Sequence, residues 1–259
     1  MARAKRHYVP GLIWHITHRC HKREFLLKFS RDRKRWLHWL YQAKKRFGLC
    51  ILNYTLTSNH IHLLVKDKRK GCMIPRSMLL MAGRTAQEYN QRKKRRGAFW
   101  EDRYHATAVE SGGHLFHCMV YIDLNMVRTG VVNHPKEWFY CGYNEILSHR
   151  QRYMLIDIKE LMKLLDVGTR EELWNVYGSW IDKKIESEEL TRESKWTESL
   201  AVGSKTFVES IDARLEYKAR GRKMIEHKGF FELREHRMPY SYDLALKKRS
   251  VRGRIRSVI

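Results

Sequence analysis

Apolar and polar residues alternate from Gly11 to Arg19, and this alternation predicts a β-strand because successive side chains of a strand point to opposite faces. Apolar residues at helical spacing follow as far as Phe47. Ser30 is the expected N-cap of this helix, and Gly48 is expected to end it, since glycine readily adopts the left-handed conformation of a helix C-terminus.

A hairpin and a second helix are predicted next. The stretch from Cys50 to Leu56 alternates like a strand, residues 57–59 form a polar turn, and an apolar run begins at His60. Pro75 fits the first turn of the following helix, which runs into five consecutive basic residues at 92–96.

A fourth strand and a further helix complete the pattern of the N-terminal half. Arg103 to Val109 alternates, and a pair of glycines then leads into a helix from His114 to about Thr129. The order strand, helix, strand, strand, helix, strand predicts an α+β domain of the ferredoxin-like βαββαβ type. Because this fold hosts many functions, it does not decide what the chain does.

The chain beyond residue 145 carries helical patterns. Thr169 and Glu172 match a capping box, and Ser204 is expected to cap a later helix. We therefore expect a ferredoxin-like domain over residues 1–145 and a helical C-terminal extension over residues 146–246. Residues 247–259 are expected to form a disordered basic tail.

The net charge of the chain indicates what kind of partner it binds. The 259 residues include 52 Lys and Arg against 28 Asp and Glu, a formal charge of +24, and most of the excess lies in residues 1–150. Such a surplus favours a polyanionic partner, nucleic acid first, with an acidic membrane surface as the alternative. No apolar run is long enough to cross a membrane, so we expect no membrane partner.

The five cysteines narrow the class further. They are scattered along the chain and none forms a C-x-x-C pair, so a zinc ribbon is excluded and a disulfide framework is not expected. No apolar segment of the kind found in secretory signals follows Met1. Both observations favour a reducing compartment and a cytoplasmic protein.

The candidate chemistry begins at His60 and His62. If their run is a strand, both imidazoles share one face and make half of a metal site, while Ile61 and Leu63 point into the core. For a bare His-x-His motif, two surface histidines are the more frequent alternative.

A second row of polar residues lies on the helix after the fourth strand. Tyr121, Asn125 and Arg128 are spaced four and three apart, so they share one side of that helix. A half-buried tyrosine beside exposed polar residues is the alternative. Together with His60 and His62 the row describes phosphoryl transfer, in which two imidazoles and the Asn125 carboxamide hold a divalent cation. The Tyr121 phenol, whose ordinary pKa is near 10, would attack a phosphate with help from that charge.

These residues also resemble a known group of enzymes. His60-Ile61-His62 resembles the His-hydrophobic-His motif of HUH endonucleases, and the block from Tyr121 to Arg128 resembles the nucleophile helix of single-tyrosine transposases. Within that group the chain is most similar to the REP-associated tyrosine transposases, over roughly residues 7–145. The supporting segments are residues 15–19, 97–104 and 135–138, and residues 195–204 resemble a block found in longer members.

The resemblance implies a mechanism, a cofactor and a partner. It implies a Mg²⁺ or Mn²⁺ ion, cleavage of single-stranded DNA through a 5′-phosphotyrosine, and recognition of DNA hairpins in repeated extragenic elements. It also implies a nucleoid-associated protein that acts as a monomer, with a dimer as the alternative. Two residues depart from the pattern: Thr57 stands where some relatives have an acidic ligand, and Met126 stands where proline is common.

Basic and aromatic residues around these motifs are the expected DNA contacts, and Phe99 and Trp100 are expected to stack on bases. For residues 92–96 the alternative is a solvated helix end that the helix dipole favours. The predicted contacts are His15, Arg19, Arg92, Lys93, Lys94, Arg95, Arg96, Trp100, Arg103 and Arg128. A hairpin-binding protein of the same fold without turnover is the alternative function. An unrelated His-x-His metallohydrolase is disfavoured because no series of carboxylate ligands follows.

Overall fold

The first four strands form the sheet that the pattern predicts. The computed structural model describes residues 9–68, 73–147, 154–187, 190–215 and 221–235. The strands are β1 (Ile13–Arg19), β2 (Cys50–Leu56), β3 (His60–Lys66) and β4 (His105–Val109). Their order across the sheet is β2-β3-β1-β4, with antiparallel pairing throughout. With helices α1 (Ser30–Phe47) and α2 (Met73–Arg92) packed against each other, this confirms the ferredoxin-like prediction.

The start of α1 differs from the prediction. Phe29, not Ser30, is the N-cap residue, and Ser30 begins the helix itself. The Ser30 hydroxyl accepts a hydrogen bond of 2.5 Å from the Tyr140 hydroxyl, so its side chain joins distant parts of the chain instead of capping. Gly48 ends α1 with φ of 69°, as predicted.

The helix after β4 is broken, whereas the sequence predicted one helix to Thr129. Helix α3 (Gly113–Asp123) ends at Leu124, whose ψ of 2° is not helical, and α4 (Asn125–Arg128) continues beyond it. The Leu124 amide donates to the Val120 carbonyl at the end of α3, and the Arg128 amide donates to the Leu124 carbonyl within the next turn. Leu115, Met119, Ile122 and Met126, which are spaced four, three and four apart along these helices, are all buried.

The C-terminal extension contains helices, as predicted, and also three strands that the sequence pattern did not indicate. Its elements are α5 (Tyr143–Ile146), α6 (Ile158–Leu165), α7 (Arg170–Glu186), α8 (Lys195–Glu198), β5 (Ala201–Gly203), α9 (Lys205–Leu215), β6 (Arg222–His227) and β7 (Phe230–Glu235). The strands continue the sheet in the order β4-β5-β7-β6, with β5 parallel to β4.

Within the C-terminal extension, helix caps are visible in the sequence and short strands are not. Thr169 and Ser204 accept bonds from the Glu172 and Phe207 amides, so both predicted caps are confirmed. Strand β5 has three residues, too few to show alternation, and its place comes from pairing with β4. The predicted basic tail, residues 247–259, lies outside the described residues.

None of the helices in the described ranges is long and apolar enough to span a bilayer.

Candidate active site

His60 and His62 lie side by side on β3. The two ring centroids are 4.9 Å apart, so the side chains share one face as their spacing requires. Ile61 and Leu63 between and beyond them are fully buried in the core. His62 is itself only 1% exposed, which contradicts the alternative of two surface histidines.

His60 is held by its own hairpin turn. Its Nδ1 lies 2.7 Å from Asn59 Oδ1 and 2.9 Å from Thr57 Oγ1. The Thr57 hydroxyl donates to the His60 carbonyl, so it accepts from the ring. His60 Nδ1 therefore carries the proton and Nε2 keeps a lone pair. Thr57 orients an imidazole from the position where some relatives have an acidic residue.

Asn125 meets His62 from α4. Asn125 Nδ2 lies 2.9 Å from His62 Nε2, and Asn125 Oδ1 is buried without a hydrogen-bond partner. An unpaired buried oxygen costs about 1–3 kcal/mol, and amide oxygens are ligands of Mg²⁺ and Mn²⁺. Rotating the carboxamide by 180° would turn Oδ1 towards His62 Nε2, an arrangement that a cation between the two atoms would stabilise. The residues present therefore fit a divalent ion.

This donor set depends on an amide. The described residues contain no group of three His, Cys, Asp or Glu side chains arranged to hold a metal. The two imidazoles are suited to the task because burial lowers the pKa of His60 to about 4 and that of His62 well below its usual value. Nearby Arg19 and Arg128 lower both further. Both rings are therefore neutral near pH 7, as metal ligation requires.

Tyr121 lies against the same pair of histidines. Its ring meets the His62 ring edge to face at a centroid distance of 5.8 Å, and the residue is 4% exposed. Burial raises the pKa of the phenol, and the Arg128 guanidinium, 4.3 Å from the ring centroid, opposes that shift. The phenol is thus protonated near pH 7 and needs positive charge to act as a nucleophile.

A cleft of about 650 Å³ opens over these side chains. It reaches from the histidine pair to the loop before β4 and to the C-terminal extension. Five arginines line it against three acidic residues. The arginines are Arg19, Arg23, Arg103, Arg128 and Arg192. Guanidinium groups around a narrow opening favour phosphate.

Comparison with known proteins finds one matching family model. Residues 8–125 match the family model described as "Transposase IS200 like", a range that includes His60, His62, Tyr121 and Asn125. The matched range covers 118 of the 259 residues, and this part of the chain is similar to the IS200-like transposases. No protein of curated function matches the chain.

Two solved structures are similar to part of this chain. A REP-associated tyrosine transposase bound to a REP hairpin is 16% identical, with a TM-score of 0.49 over 61% of this chain and 93% of that chain. A protein from Deinococcus radiodurans R1 described as a transposase is 17% identical, with a TM-score of 0.32 over 40% of this chain and 84% of that chain.

The predicted DNA contacts fall into two places. Arg19, Arg103 and Arg128 line the cleft. The basic run at 92–96 lies at the end of α2, where Arg92 bonds to Asp32 and Arg95 donates to the Ala98 carbonyl. Lys93, Lys94 and Arg96 of that run are exposed.

Two residues that were predicted to contact DNA, His15 and Trp100, contact other groups of the protein instead. His15 is fully buried beneath His62, so it is not placed to touch DNA, and the prediction of a direct contact is wrong. The Trp100 ring stacks on His18 at 4.1 Å, and its indole N–H donates to the Ala82 carbonyl. Phe99 is 2% exposed, so it offers no stacking surface to bases.

The C-terminal extension supplies cleft residues that the sequence did not reveal. Arg192, Thr197 and Glu198 line the opening, and Arg192 pairs with Glu198 at 3.1 Å. The Trp196 ring lies 6.3 Å from the Tyr121 ring. The only signal for this part was the likeness of residues 195–204 to a block in longer relatives.

Proposed function

We propose that the chain is a metal-dependent single-stranded DNA endonuclease and strand transferase that cuts near DNA hairpins through Tyr121. The observation that carries this proposal is the convergence of His60, His62 and Asn125 beside Tyr121, within a range that is similar to the IS200-like transposases. Such a set suits transfer of a phosphoryl group and has no evident use in a protein that only binds DNA.

The protein's own groups would carry out most of the reaction. Tyr121 Oη forms a bond to the scissile phosphorus, and the bond from phosphorus to the 3′-oxygen breaks. The phenolic proton is lost and the departing 3′-oxygen gains one, which leaves a free 3′-hydroxyl and a 5′-phosphotyrosine. Attack of another 3′-hydroxyl on this linkage would rejoin a strand, since the linkage conserves the energy of the original bond.

His60 Nε2, His62 Nε2 and Asn125 Oδ1 would hold the cation. When bound, a Mg²⁺ or Mn²⁺ ion supplies Lewis-acid stabilisation of the charge that develops on the phosphate oxygens. Arg128, which packs over the Tyr121 ring, would favour the phenolate and hold an adjacent phosphate. Arg19 and Arg103 would position further phosphates along the cleft.

One chain contains the whole set. Tyr121 reaches His62 of its own chain, so cleavage requires no exchange of helices between subunits. We accordingly propose a monomer that acts on hairpin DNA in the cytoplasm, at the nucleoid. The formal charge of +24 supports a polyanionic partner.

A hairpin-binding protein without turnover is the second candidate. Two observations favour it: no carboxylate joins the donor set around His60, and Tyr121 is buried with a raised pKa. Both functions share the cleft and the charge, so only formation of the covalent bond separates them.

The test is a covalent trapping experiment. The full chain is mixed with a labelled hairpin oligonucleotide that has single-stranded flanks, taken from beside its own gene, with Mn²⁺ or Mg²⁺. We expect a band of protein-linked DNA on a denaturing gel, absent in Tyr121→Phe and kept in the matched control Tyr89→Phe, since Tyr89 lies on α2 away from the cleft. Tight binding without any adduct would favour the second candidate.

A further inference from the structure

We propose that His15, together with the backbone carbonyl of Trp196, fixes the metal-binding tautomer of His62. His15 is then a positioning residue, and the C-terminal extension helps to orient a metal ligand of the catalytic centre through the Trp196 carbonyl. This inference rests on the proposed function, because it assigns a purpose to contacts around the proposed metal site.

A continuous line of hydrogen bonds carries the inference. The Trp196 carbonyl lies 2.8 Å from His15 Nδ1, and His15 Nε2 lies 2.9 Å from His62 Nδ1. His62 Nε2 then faces Asn125 at 2.9 Å. The His15 and His62 ring centroids are 5.1 Å apart and the ring planes are 8° from parallel, so the two rings lie edge to edge in nearly one plane, as a hydrogen bond between ring nitrogens requires. His15, His62 and Trp196 are each at most 1% exposed, so water does not compete for these bonds.

The direction of the protons follows from the first partner. A carbonyl oxygen can only accept, so His15 Nδ1 must carry the hydrogen. The other nitrogen of a neutral imidazole is an acceptor, and His15 Nε2 therefore accepts a hydrogen bond from the N–H at His62 Nδ1. His62 Nε2 is left with its lone pair directed towards Asn125. This is the tautomer that a metal ligand needs, with its second nitrogen held by a neighbouring acceptor.

The extension is anchored where this line begins. The Thr107 hydroxyl on β4 lies 3.2 Å from the Trp196 carbonyl and 2.7 Å from the Ser199 carbonyl. The Ala108 amide donates to the Leu200 carbonyl at 2.8 Å, just before β5 joins β4 in the sheet. Trp196 is therefore held by the sheet that also carries His15, and these contacts form without DNA.

The two ligand histidines are oriented in different ways. His60 takes its orientation from Thr57 and Asn59, within three residues of itself. His62 takes its orientation from residue 15 and, through it, from residue 196. In the alternative interpretation, His15 is a buried polar residue that only satisfies its own hydrogen bonds. Replacing His15 would then leave the tautomer of His62 unchanged.

The tautomer can be measured without metal or DNA. Long-range ¹H–¹⁵N correlation spectra of the full, metal-free chain distinguish a protonated from an unprotonated ring nitrogen. In wild type we expect His62 to carry its hydrogen on Nδ1, with Nε2 unprotonated. A hydrogen on His62 Nε2 in wild type would overturn the proposal outright, whatever any variant does.

Two variants separate positioning from packing. His15→Gln keeps an acceptor for His62 and a donor for the Trp196 carbonyl, so we expect the wild-type tautomer and a Mn²⁺ affinity near wild type. His15→Leu removes both, and we expect a mixture of His62 tautomers with Mn²⁺ affinity, measured by electron paramagnetic resonance, lower by about 10- to 100-fold. An unchanged tautomer and affinity in folded His15→Leu would also overturn the proposal.

These readouts stay separate from the proposed function. A wild type that shows the expected tautomer but never forms a DNA adduct would contradict the endonuclease proposal and still support the positioning role. An adduct in wild type combined with the opposite tautomer would support the endonuclease and refute the role of His15.

Discussion

Loss of one buried hydroxyl should loosen the helix that carries the nucleophile. Tyr177 on α7 is fully buried, and its hydroxyl donates to Asp123 Oδ2 at 2.5 Å. Asp123 ends α3, between Tyr121 and Asn125. The contact thus joins the C-terminal extension to the break between the two candidate site residues, and Tyr177→Phe removes it while keeping the ring.

The structure sets the size of the effect. The Tyr177 ring packs on Phe116 and Tyr143, at centroid distances of 5.6 Å and 6.0 Å, and those contacts survive in the phenylalanine variant. What is lost is the donor to a buried carboxyl oxygen, which costs about 1–3 kcal/mol. At roughly 2–4 °C per kcal/mol for a chain of this size class, a loss of about 2 kcal/mol lowers the Tm by roughly 4–8 °C.

Urea unfolding at pH 7, followed by far-ultraviolet circular dichroism, measures the free energy of unfolding. Tyr89→Phe is the matched control, because Tyr89 is half-buried on α2 and its ring packs on Phe99. We expect the control to stay within about 0.5 kcal/mol of wild type. If Tyr177→Phe does the same, the bond to Asp123 does not stabilise the fold, and the extension does not hold the nucleophile helix through it.

Further expectations concern packing and charge. Gly142→Ala should destabilise the fold by about 1–3 kcal/mol in urea unfolding, because a Cβ there would lie 2.1 Å from Asn53 Oδ1. Gly83→Ala in α2, where a Cβ meets nothing within 4 Å, should be neutral or stabilising. Equal effects of the two substitutions would contradict the close packing at Gly142. Arg128→Gln should reduce the rate of adduct formation by at least tenfold, while Arg46→Gln, an exposed position on α1 away from the cleft, should leave that rate within about twofold of wild type. Hairpin affinity should fall steeply between 50 and 200 mM salt, by about a thousandfold for six phosphate contacts, and a flat response would argue against a DNA partner.

The fold of the N-terminal half was predictable because local rules and sheet order agree there. Alternation located all four strands, and the split order restricted them to one arrangement, which the sheet order confirms. The break at Leu124 was not predictable, since every residue around it tolerates a helix and the Tyr177 bond nearby comes from a distant part of the chain.

The candidate site was predictable only where side-chain identity carries the chemistry. The spacing of His60 and His62, and of Tyr121 and Asn125, indicated which residues would meet, and the structure brings them together. Alternation cannot show how deeply a residue on a strand is buried, so the sequence predicts a surface contact at His15, which the structure buries completely.

The role of the C-terminal extension at the candidate site was not predictable from the residue pattern, although residues 195–204 resemble a block in longer relatives. Trp196 contributes a backbone carbonyl, which every residue possesses, and no sequence pattern marks it. Strand β5, which fixes that carbonyl against the sheet, is three residues long and depends on its partner strand.

The most direct test of the central claim is to locate the covalent bond. Wild-type protein is incubated with a hairpin oligonucleotide from beside its gene and Mn²⁺, digested with nuclease and protease, and analysed by tandem mass spectrometry. We expect a nucleotide joined through a 5′-phosphate to Tyr121 and to no other tyrosine. A modification on another residue, or an adduct that persists in Tyr121→Phe, would contradict the assignment of the nucleophile.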